Sequence, residues 1–305
     1  MSTDTLSSRQ AGAEGPKVWR DYDQVGLDRA YDQAVWAPLM GDVRARLVAT
    51  SEAVRGRLGA PKRFAYGATP VEALDVFPAR SANAPIYIHV HGGGWQRGEA
   101  KDFAFAAEMF VDAGVNFVVL DFAQIDACGG DIAPMVKQVR TAIAWVHKNA
   151  AQFGGDEARL YVGGHSSGGH LAAMALTCDW EKEFGVPSSF IKGGLLISGI
   201  YDLAPARRAK AFGYVTFTDA SEEAMSPQRH LARLKAPLAV VVGSKDSPEF
   251  IRQSRELAAA VKAAGGVAEF TEAPGYNHFE MSESLGNPYG PAGRAALALM
   301  GMKGR

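Results

Sequence analysis

A serine in a glycine-rich turn is the residue of this 305-residue chain that is best suited to chemistry. Ser166 stands at the centre of the run Gly-His-Ser-Ser-Gly over 164–168, which matches the pattern G-x-S-x-G. An apolar stretch typical of a strand, 160–162, precedes the run, and a helical stretch follows it. A sharp strand-to-helix turn exposes a serine hydroxyl at its apex, and glycines avoid clashes there. The pattern predicts a nucleophile, and a plain glycine-rich turn is the alternative.

The hydroxyl of Ser166 is protonated at neutral pH, so it needs a base and a group that orients the base. Asp246 lies just past the end of the apolar run 238–242 and is the predicted acid, with Glu249 as the alternative. His278 is the predicted base, because it follows both the serine and the acid in the expected chain order. His230 also lies downstream of the serine, but it precedes the acid.

Three consecutive glycines, 92–94, stand between His91 and Trp95 at the end of a predicted strand. Such a run lets backbone N–H groups converge on one oxygen, as acyl transfer requires for its developing oxyanion. The N–H of Ser167, the residue after the nucleophile, completes this predicted oxyanion hole. A tight turn is the alternative, but three glycines exceed what a turn needs.

The elements that must position these residues alternate between strands and helices along the chain. A predicted antiparallel strand pair, 64–66 and 74–77, comes first. Because the later strands are separated by helices of ten or more residues, the pattern predicts a mostly parallel sheet with helices on both faces. The predicted strands are 86–91, 117–120, 160–162, 194–198, 238–242 and 268–270, and the predicted helices are 103–113, 132–153, 250–264 and 292–300.

The sequence predicts one domain over residues 17–305, after a disordered lead over 1–16. Helices over about 18–59 and an irregular excursion over 202–235 are candidate lid elements. The lead is polar and lacks the apolar core of a secretory signal.

Composition narrows the class of protein further. Hydrophobic residues make up 47% and charged residues 21%, which predicts a substantial core. The net charge of −1 gives no electrostatic footprint for nucleic acid or an anionic membrane, and no apolar run approaches the ~20 residues of a bilayer span. Cys128 and Cys178 are too few for a disulfide framework or a four-cysteine zinc site. The balance favours a cytoplasmic enzyme.

Three aromatic side chains are candidate substrate contacts. Trp95 follows the glycine run and is expected either to line an aromatic pocket or to belong to the core. Tyr201 and Phe212 follow the end of a strand, where ligands bind in open α/β sheets. His89 and His91 share one face of a strand, but no Asp, Glu or Cys nearby completes a metal-ligand set.

Five stretches together resemble the α/β-hydrolase superfamily, in the branch that holds hormone-sensitive-lipase-like esterases and kynurenine formamidases. They lie at 66–77, 91–95, 164–171, 198–203 and 277–280. The resemblance, which covers about 20–300, implies an α/β-hydrolase fold with an eight-stranded-type sheet and no metal or cofactor. It also implies a catalytic triad and an oxyanion hole formed by Gly93, Gly94 and Ser167; the triad is Ser166, Asp246 and His278.

The resemblance implies hydrolysis of a small aryl-linked amide or ester, first of all as an arylformamidase. A carboxylesterase for short-chain or aromatic esters is the alternative, and a non-catalytic binding protein of the same fold is a remote one. Dimers are common among such enzymes, so a homodimer is compatible with the resemblance. The chain departs from the branch at 121–128, where a Tyr-Arg-Leu-type run is usual, and substrate choice is therefore the least secure expectation.

Overall fold

A computed structural model describes residues 15–302 of the chain. Eight strands form one sheet in the order β1-β2-β4-β3-β5-β6-β7-β8. The first two strand pairings, β1 with β2 and β2 with β4, are antiparallel, and all the others are parallel. The predicted mostly parallel sheet and its antiparallel opening pair are therefore confirmed. The strands are β1 (Lys62–Ala65), β2 (Ala73–Phe77), β3 (Ala84–Val90), β4 (Asn116–Leu120), β5 (Gly155–His165), β6 (Ile191–Ile197), β7 (Leu238–Gly243) and β8 (Ala268–Ala273).

Twelve α-helices lie within residues 15–302, and most of the longer ones match the predicted segments. Their bounds are α1 (Gln24–Tyr31), α2 (Gln33–Trp36), α3 (Met40–Leu58), α4 (Ala107–Asp112), α5 (Ala133–Asn149), α6 (Ser167–Leu176), α7 (Trp180–Phe184), α8 (Leu203–Arg208), α9 (Asp219–Ala224), α10 (Pro248–Ala263), α11 (His278–Glu283) and α12 (Pro291–Leu299). No helix within the described residues is long and apolar enough to cross a membrane.

Two predicted segments differ from the structure. The helix expected over 103–113 is a 3₁₀ segment over Ala100–Ala106, in which Phe103 leaves helical geometry at φ −118° and ψ 18°, followed by α4. The excursion over 202–235 is not wholly irregular, because it contains α8 and α9 and two 3₁₀ turns. Short segments of this kind lack the repeated apolar spacing that marks a long helix in sequence.

Apolar residues cover both faces of the sheet, as the alternation along β3 illustrates. Ile86, Ile88 and Val90 belong to one buried cluster, together with apolar residues of α5, α6 and α10. Tyr87 belongs to a second cluster on the opposite face, together with residues of α3, α4 and α12. Burial on both faces explains why these strands are near-continuously apolar. The packed sheet fixes the carboxyl ends of β3, β5, β6, β7 and β8 along one edge.

The N-terminal helices pack over that edge. On α3, Ser51 donates through its Oγ to the carbonyl oxygen of Asp102 (2.7 Å) and accepts from the N–H of Phe105 (3.0 Å). Tyr31 of α1 accepts through its hydroxyl from Nε2 of Gln253 on α10 (2.9 Å). The predicted lead over 1–16 lies almost wholly outside the described residues, and the assignment of 17–305 to one domain stays a prediction.

Candidate active site

Ser166 sits in a strained turn between β5 and α6. Its backbone adopts φ 58° and ψ −125°, a positive φ that only glycine adopts freely, and its N–H donates to the carbonyl oxygen of Ile197 (3.0 Å). A Cβ at the neighbouring Gly168 would lie 2.1 Å from the carbonyl oxygen of Val90. Glycine is therefore required where the turn meets β3, and the predicted strand-turn-helix geometry is present.

The three residues predicted to act together do lie together. Nε2 of His278 lies 2.9 Å from Oγ of Ser166, and its Nδ1 lies 3.0 Å and 3.1 Å from the two carboxylate oxygens of Asp246. The carboxylate can only accept from Nδ1–H, so Nε2 is left to accept the serine proton. The Asp246 side chain is 0% exposed and that of His278 is 2% exposed. This geometry suits general-base activation of the hydroxyl.

The position of Asp246 follows from the way that β7 ends. Its N–H donates to the carbonyl oxygen of Gly243 (3.0 Å), and its Oδ1 accepts from the N–H of Ser247 (2.7 Å), just before α10 begins. Glu249, the alternative acid, is buried one turn further along, where both its oxygens accept from Arg252 (2.7 and 2.8 Å). Because the Glu249 carboxylate pairs with Arg252, Asp246 rather than Glu249 is the acid that contacts His278.

His278 begins α11 and is held from several sides. Asn277 caps the helix by accepting from the N–H groups of Phe279 (3.0 Å) and Glu280 (3.1 Å). The ring of Phe250 lies 4.5 Å from the His278 ring, between centroids. Burial lowers the pKa of His165 well below its ordinary value, and its Nε2–H donates to the His278 carbonyl oxygen (2.8 Å). His230 lies elsewhere, where its Nε2 contacts the Glu223 carbonyl oxygen.

The glycine run after β3 lines the same cavity as Ser166. Gly93 and Gly94 adopt positive φ values of 131° and 64°, so the run turns back on itself. Among residues 15–302, no acceptor is hydrogen-bonded to the N–H groups of Gly93, Gly94 or Ser167. Oγ of Ser167 accepts from the N–H of Trp95 (3.2 Å), which joins the run to the serine turn. These three residues line the same cavity as Ser166, so their N–H groups are candidate donors for an oxyanion.

A cavity of about 440 Å³ opens onto Ser166, and six phenylalanine and tyrosine side chains line part of its wall. Phe212 lies on this wall, as expected, but Trp95 and Tyr201 do not. Trp95 is 2% exposed and packs behind Phe212, with 5.5 Å between ring centroids. Tyr201 is fully buried, and its hydroxyl accepts from the N–H of Gly199 (3.1 Å). The expectation of direct substrate contact is therefore corrected for these two residues, since both side chains turn into the core.

Several residues of the cavity wall were not predicted from the sequence. They are Tyr31, Arg44, Leu47, Arg97, Phe250 and Phe279. Two of them had a usable signal, because Phe250 and Phe279 follow the predicted acid and base closely in sequence. The residues of α1 and α3 reach the site only through tertiary packing, which no local pattern reports.

The unusual segment 121–128 does not line the cavity among the described residues but supports the glycine run from outside. The N–H of Ile125 donates to the carbonyl oxygen of Trp95 (2.8 Å). The Asp121 carboxylate pairs with Arg63 (2.7 Å) and accepts from the N–H of Ala100 (2.6 Å). In this protein the segment therefore shapes the site indirectly.

His89 and His91 have structural surroundings. Burial lowers the pKa of His89 to about 3 and also lowers that of His91, so both rings are neutral at neutral pH. The His91 ring stacks between Phe103 and Phe122, with its Nδ1 2.8 Å from the carbonyl oxygen of Gly92. Within residues 15–302, no three His, Cys, Asp or Glu side chains are grouped as metal ligands would be.

Comparison with known proteins gives concordant results. The BD-FAE family model matches residues 74–193, and the Prolyl oligopeptidase family model matches residues 135–289. A kynurenine formamidase of Danio rerio is 33% identical over 280 residues, which cover 88% of this chain and 93% of the relative. Esterase LipC of Mycobacterium tuberculosis is 28% identical, over 71% of this chain and 59% of the relative.

The fold also matches solved structures. An esterase from Pyrobaculum calidifontis superposes with a TM-score of 0.64 at 18% identity, over 88% of this chain and 97% of that structure. This likeness concerns the fold alone, and it confirms the predicted arrangement of a mostly parallel eight-stranded sheet with helices on both faces.

Proposed function

The chain belongs to the kynurenine formamidase family of the α/β-hydrolase superfamily, and on that basis we propose that it is a serine hydrolase of aryl formamides such as N-formylkynurenine. The observation that carries the proposal is the contact of 2.9 Å between Ser166 Oγ and His278 Nε2, beside three unused N–H donors. The six phenylalanine and tyrosine side chains on the cavity wall suit an aryl leaving group, and a volume of about 440 Å³ suits a small molecule.

The proposed reaction has two halves. Oγ of Ser166 attacks the formyl carbon while its proton passes to Nε2 of His278, and Asp246 stabilises the resulting imidazolium. The N–H groups of Gly93, Gly94 and Ser167 hold the negative oxygen that forms. His278 then gives its proton to the departing aryl amine as the C–N bond breaks. Water, deprotonated by His278, then attacks the formyl ester, and His278 returns the proton to Oγ of Ser166 as the C–O bond breaks and formate leaves.

A carboxylesterase for short-chain or aromatic esters is the second candidate. The same nucleophile, base and donors cleave an ester without change, because only the leaving atom differs. The similarity to an esterase of Mycobacterium tuberculosis favours this alternative. A non-catalytic binding protein is the remote third candidate, and the intact Ser166, His278 and Asp246 arrangement weighs against it.

Turnover of N-formylkynurenine, measured beside that of p-nitrophenyl acetate, tests the choice between amide and ester. We expect the formamide to have the larger kcat/KM, since the phenylalanine and tyrosine side chains on the cavity wall suit an aryl amine. If the protein hydrolyses the ester but not the formamide, it is a carboxylesterase instead. If the folded protein hydrolyses neither substrate, the binding protein is favoured.

The remaining expectations also belong to this proposal. Residues of α1, α3 and the 202–235 segment line the cavity, which supports a lid role for both regions. Cys128 and Cys178 are free thiols, which suits a cytoplasmic location. A homodimer, as is common among such enzymes, is checked by the molecular mass in solution.

A further inference from the structure

Two arginines line the cavity beside Ser166. Arg44 comes from α3, and Arg97 comes from the loop that follows the glycine run. Among residues 15–302, neither guanidinium forms an ion pair. By contrast, Arg46, two residues along α3, forms a bidentate pair with Glu283 (2.9 and 2.9 Å).

Arg44 is fixed close to the base. Its guanidinium carbon lies 4.6 Å from the centroid of the Phe279 ring, the residue after His278. Burial is the main cause that lowers the pKa of His165, and the charge of Arg44 adds to this effect. The positive charge of Arg44 therefore reaches the residue that precedes the nucleophile.

Arg97 is tied to the oxyanion loop. A Cβ on Gly93 would lie 1.9 Å from the carbonyl oxygen of Arg97, so the two backbones are in contact. Tyr214 donates through its hydroxyl to the carbonyl oxygen of Gly94 (2.7 Å). Burial raises the pKa of Tyr214 to about 12, and the Arg97 charge opposes that rise. Arg97 thus lies close to Tyr214 and to the glycine run.

The charge between these two arginines is not balanced. Burial lowers the pKa of Arg44, and Arg97 lowers it further because two cations repel each other. Nearby carboxylates are engaged elsewhere, since Glu280 accepts from the N–H of Asn277 (3.0 Å) and Glu283 pairs with Arg46. Asp102 shares the cavity wall but forms no ion pair with either arginine among the described residues.

We propose that Arg44 and Arg97 bind a carboxylate on the leaving group, so that the enzyme selects anionic aryl formamides or esters over neutral ones. A planar guanidinium fork matches a carboxylate, and the two forks that line this cavity have no such partner among residues 15–302. The anion belongs to the leaving group because a formyl group has no room for one. This inference rests on the proposed function, and it identifies the amino-acid carboxylate of N-formylkynurenine as the group that is bound.

A matched substrate pair tests this selection. The ratio of kcat/KM for N-formyl-L-kynurenine to that for its carboxamide is measured in the wild type and in Arg44→Gln, Arg97→Gln and the control Arg46→Gln. We expect each cavity variant to lower the ratio about tenfold, mainly through KM, because a charge-assisted hydrogen bond is lost. Arg44→Lys retains the charge and should recover part of the ratio, while Arg46→Gln keeps the wild-type ratio. Equal losses on both substrates would overturn the inference in favour of a structural role.

A second pair separates this inference from the formamidase proposal. The second pair is 3-acetoxybenzoate and its methyl ester, for which the same ratio of kcat/KM values is measured in the same variants. If this ratio falls in the two cavity variants but the enzyme does not turn over formamides, the carboxylate site is retained and the formamidase proposal is rejected. If the enzyme turns over formamides but the ratios are unchanged in both arginine variants, the formamidase proposal is retained and the carboxylate site is rejected. If no substrate reacts, calorimetry with benzoate and benzamide decides: the wild type should bind benzoate about tenfold more tightly, and Arg44→Gln should not. Equal binding of the two would overturn the proposal.

Discussion

At residue scale, backbone groups rather than side chains carry much of the proposed chemistry. In the proposed reaction the N–H of Ser167 holds the oxyanion, whereas its hydroxyl accepts from the N–H of Trp95 (3.2 Å). Alanine at this position removes the hydroxyl, and proline removes the N–H. Ser167 is the first residue of α6, a position at which helices tolerate proline.

We therefore predict that Ser167→Pro lowers kcat by about 10²–10³, the usual cost of one oxyanion donor. Ser167→Ala, its matched control, should remain within about tenfold of the wild type, because only the link to Trp95 is lost. Steady-state kinetics with p-nitrophenyl acetate and a thermal unfolding curve for each variant provide the measurement. A folded proline variant with nearly normal kcat would remove Ser167 from the oxyanion site.

At element scale, the serine turn depends on contact between α6 and β3. Gly168 packs so closely that an added Cβ would lie 2.1 Å and 2.3 Å from the carbonyl oxygens of Val90 and His91. Backbone atoms at the centre of a sheet cannot move aside cheaply. Gly56, near the end of α3, has nothing within 4 Å of such a Cβ.

Gly168→Ala should lower the free energy of unfolding by about 3 kcal/mol or more, with loss of activity. Gly56→Ala should raise it by about 0.5–1 kcal/mol, because alanine favours a helix over glycine. Urea denaturation of both variants measures the difference. Similar unfolding free energies for the two would mean that the turn is less tightly packed than the distances indicate.

Local patterns predict the elements well and the walls of the cavity poorly. The alternation of strands and helices predicted β3 to β8. The order of the motifs along the chain predicted that Asp246 and His278 lie beside Ser166. The direction of a side chain cannot be predicted in this way. Trp95 and Tyr201 adjoin site residues in sequence, but their side chains are buried in the core. Arg44 lies more than a hundred residues before Ser166, so only the packing of α3 reveals that it lines the same cavity.

At the scale of the whole molecule, neutral histidines are part of the packing around the site. Burial lowers the pKa of His89 to about 3 and that of His170 to about 4, and it lowers those of His91 and His165 as well. An exposed histidine titrates near about 6.5. Below that value the unfolded chain binds protons that the folded chain does not, so acid favours unfolding.

The free energy of unfolding should therefore decrease as pH falls from about 7 to about 5.5, by up to about 1.4 kcal/mol per pH unit for each buried histidine. His89→Phe should reduce this slope by about one proton, because it keeps an aromatic ring but cannot be protonated. Urea titrations at several pH values measure both slopes. A free energy that stays constant over this range would contradict the neutral, buried state of these rings.

The most direct test of the account is covalent labelling of Ser166. Folded protein is treated with an organophosphate, and the modified peptide is identified by mass spectrometry in the wild type, Ser166→Ala and His278→Ala. We predict one adduct, on Ser166, that is absent from Ser166→Ala and forms at least about 10³-fold more slowly in His278→Ala, because the hydroxyl has lost its base. Hydrolytic activity that persists in Ser166→Ala would contradict the proposed mechanism. So would wild-type protein that is active but gains no adduct on Ser166 when it is treated with the organophosphate.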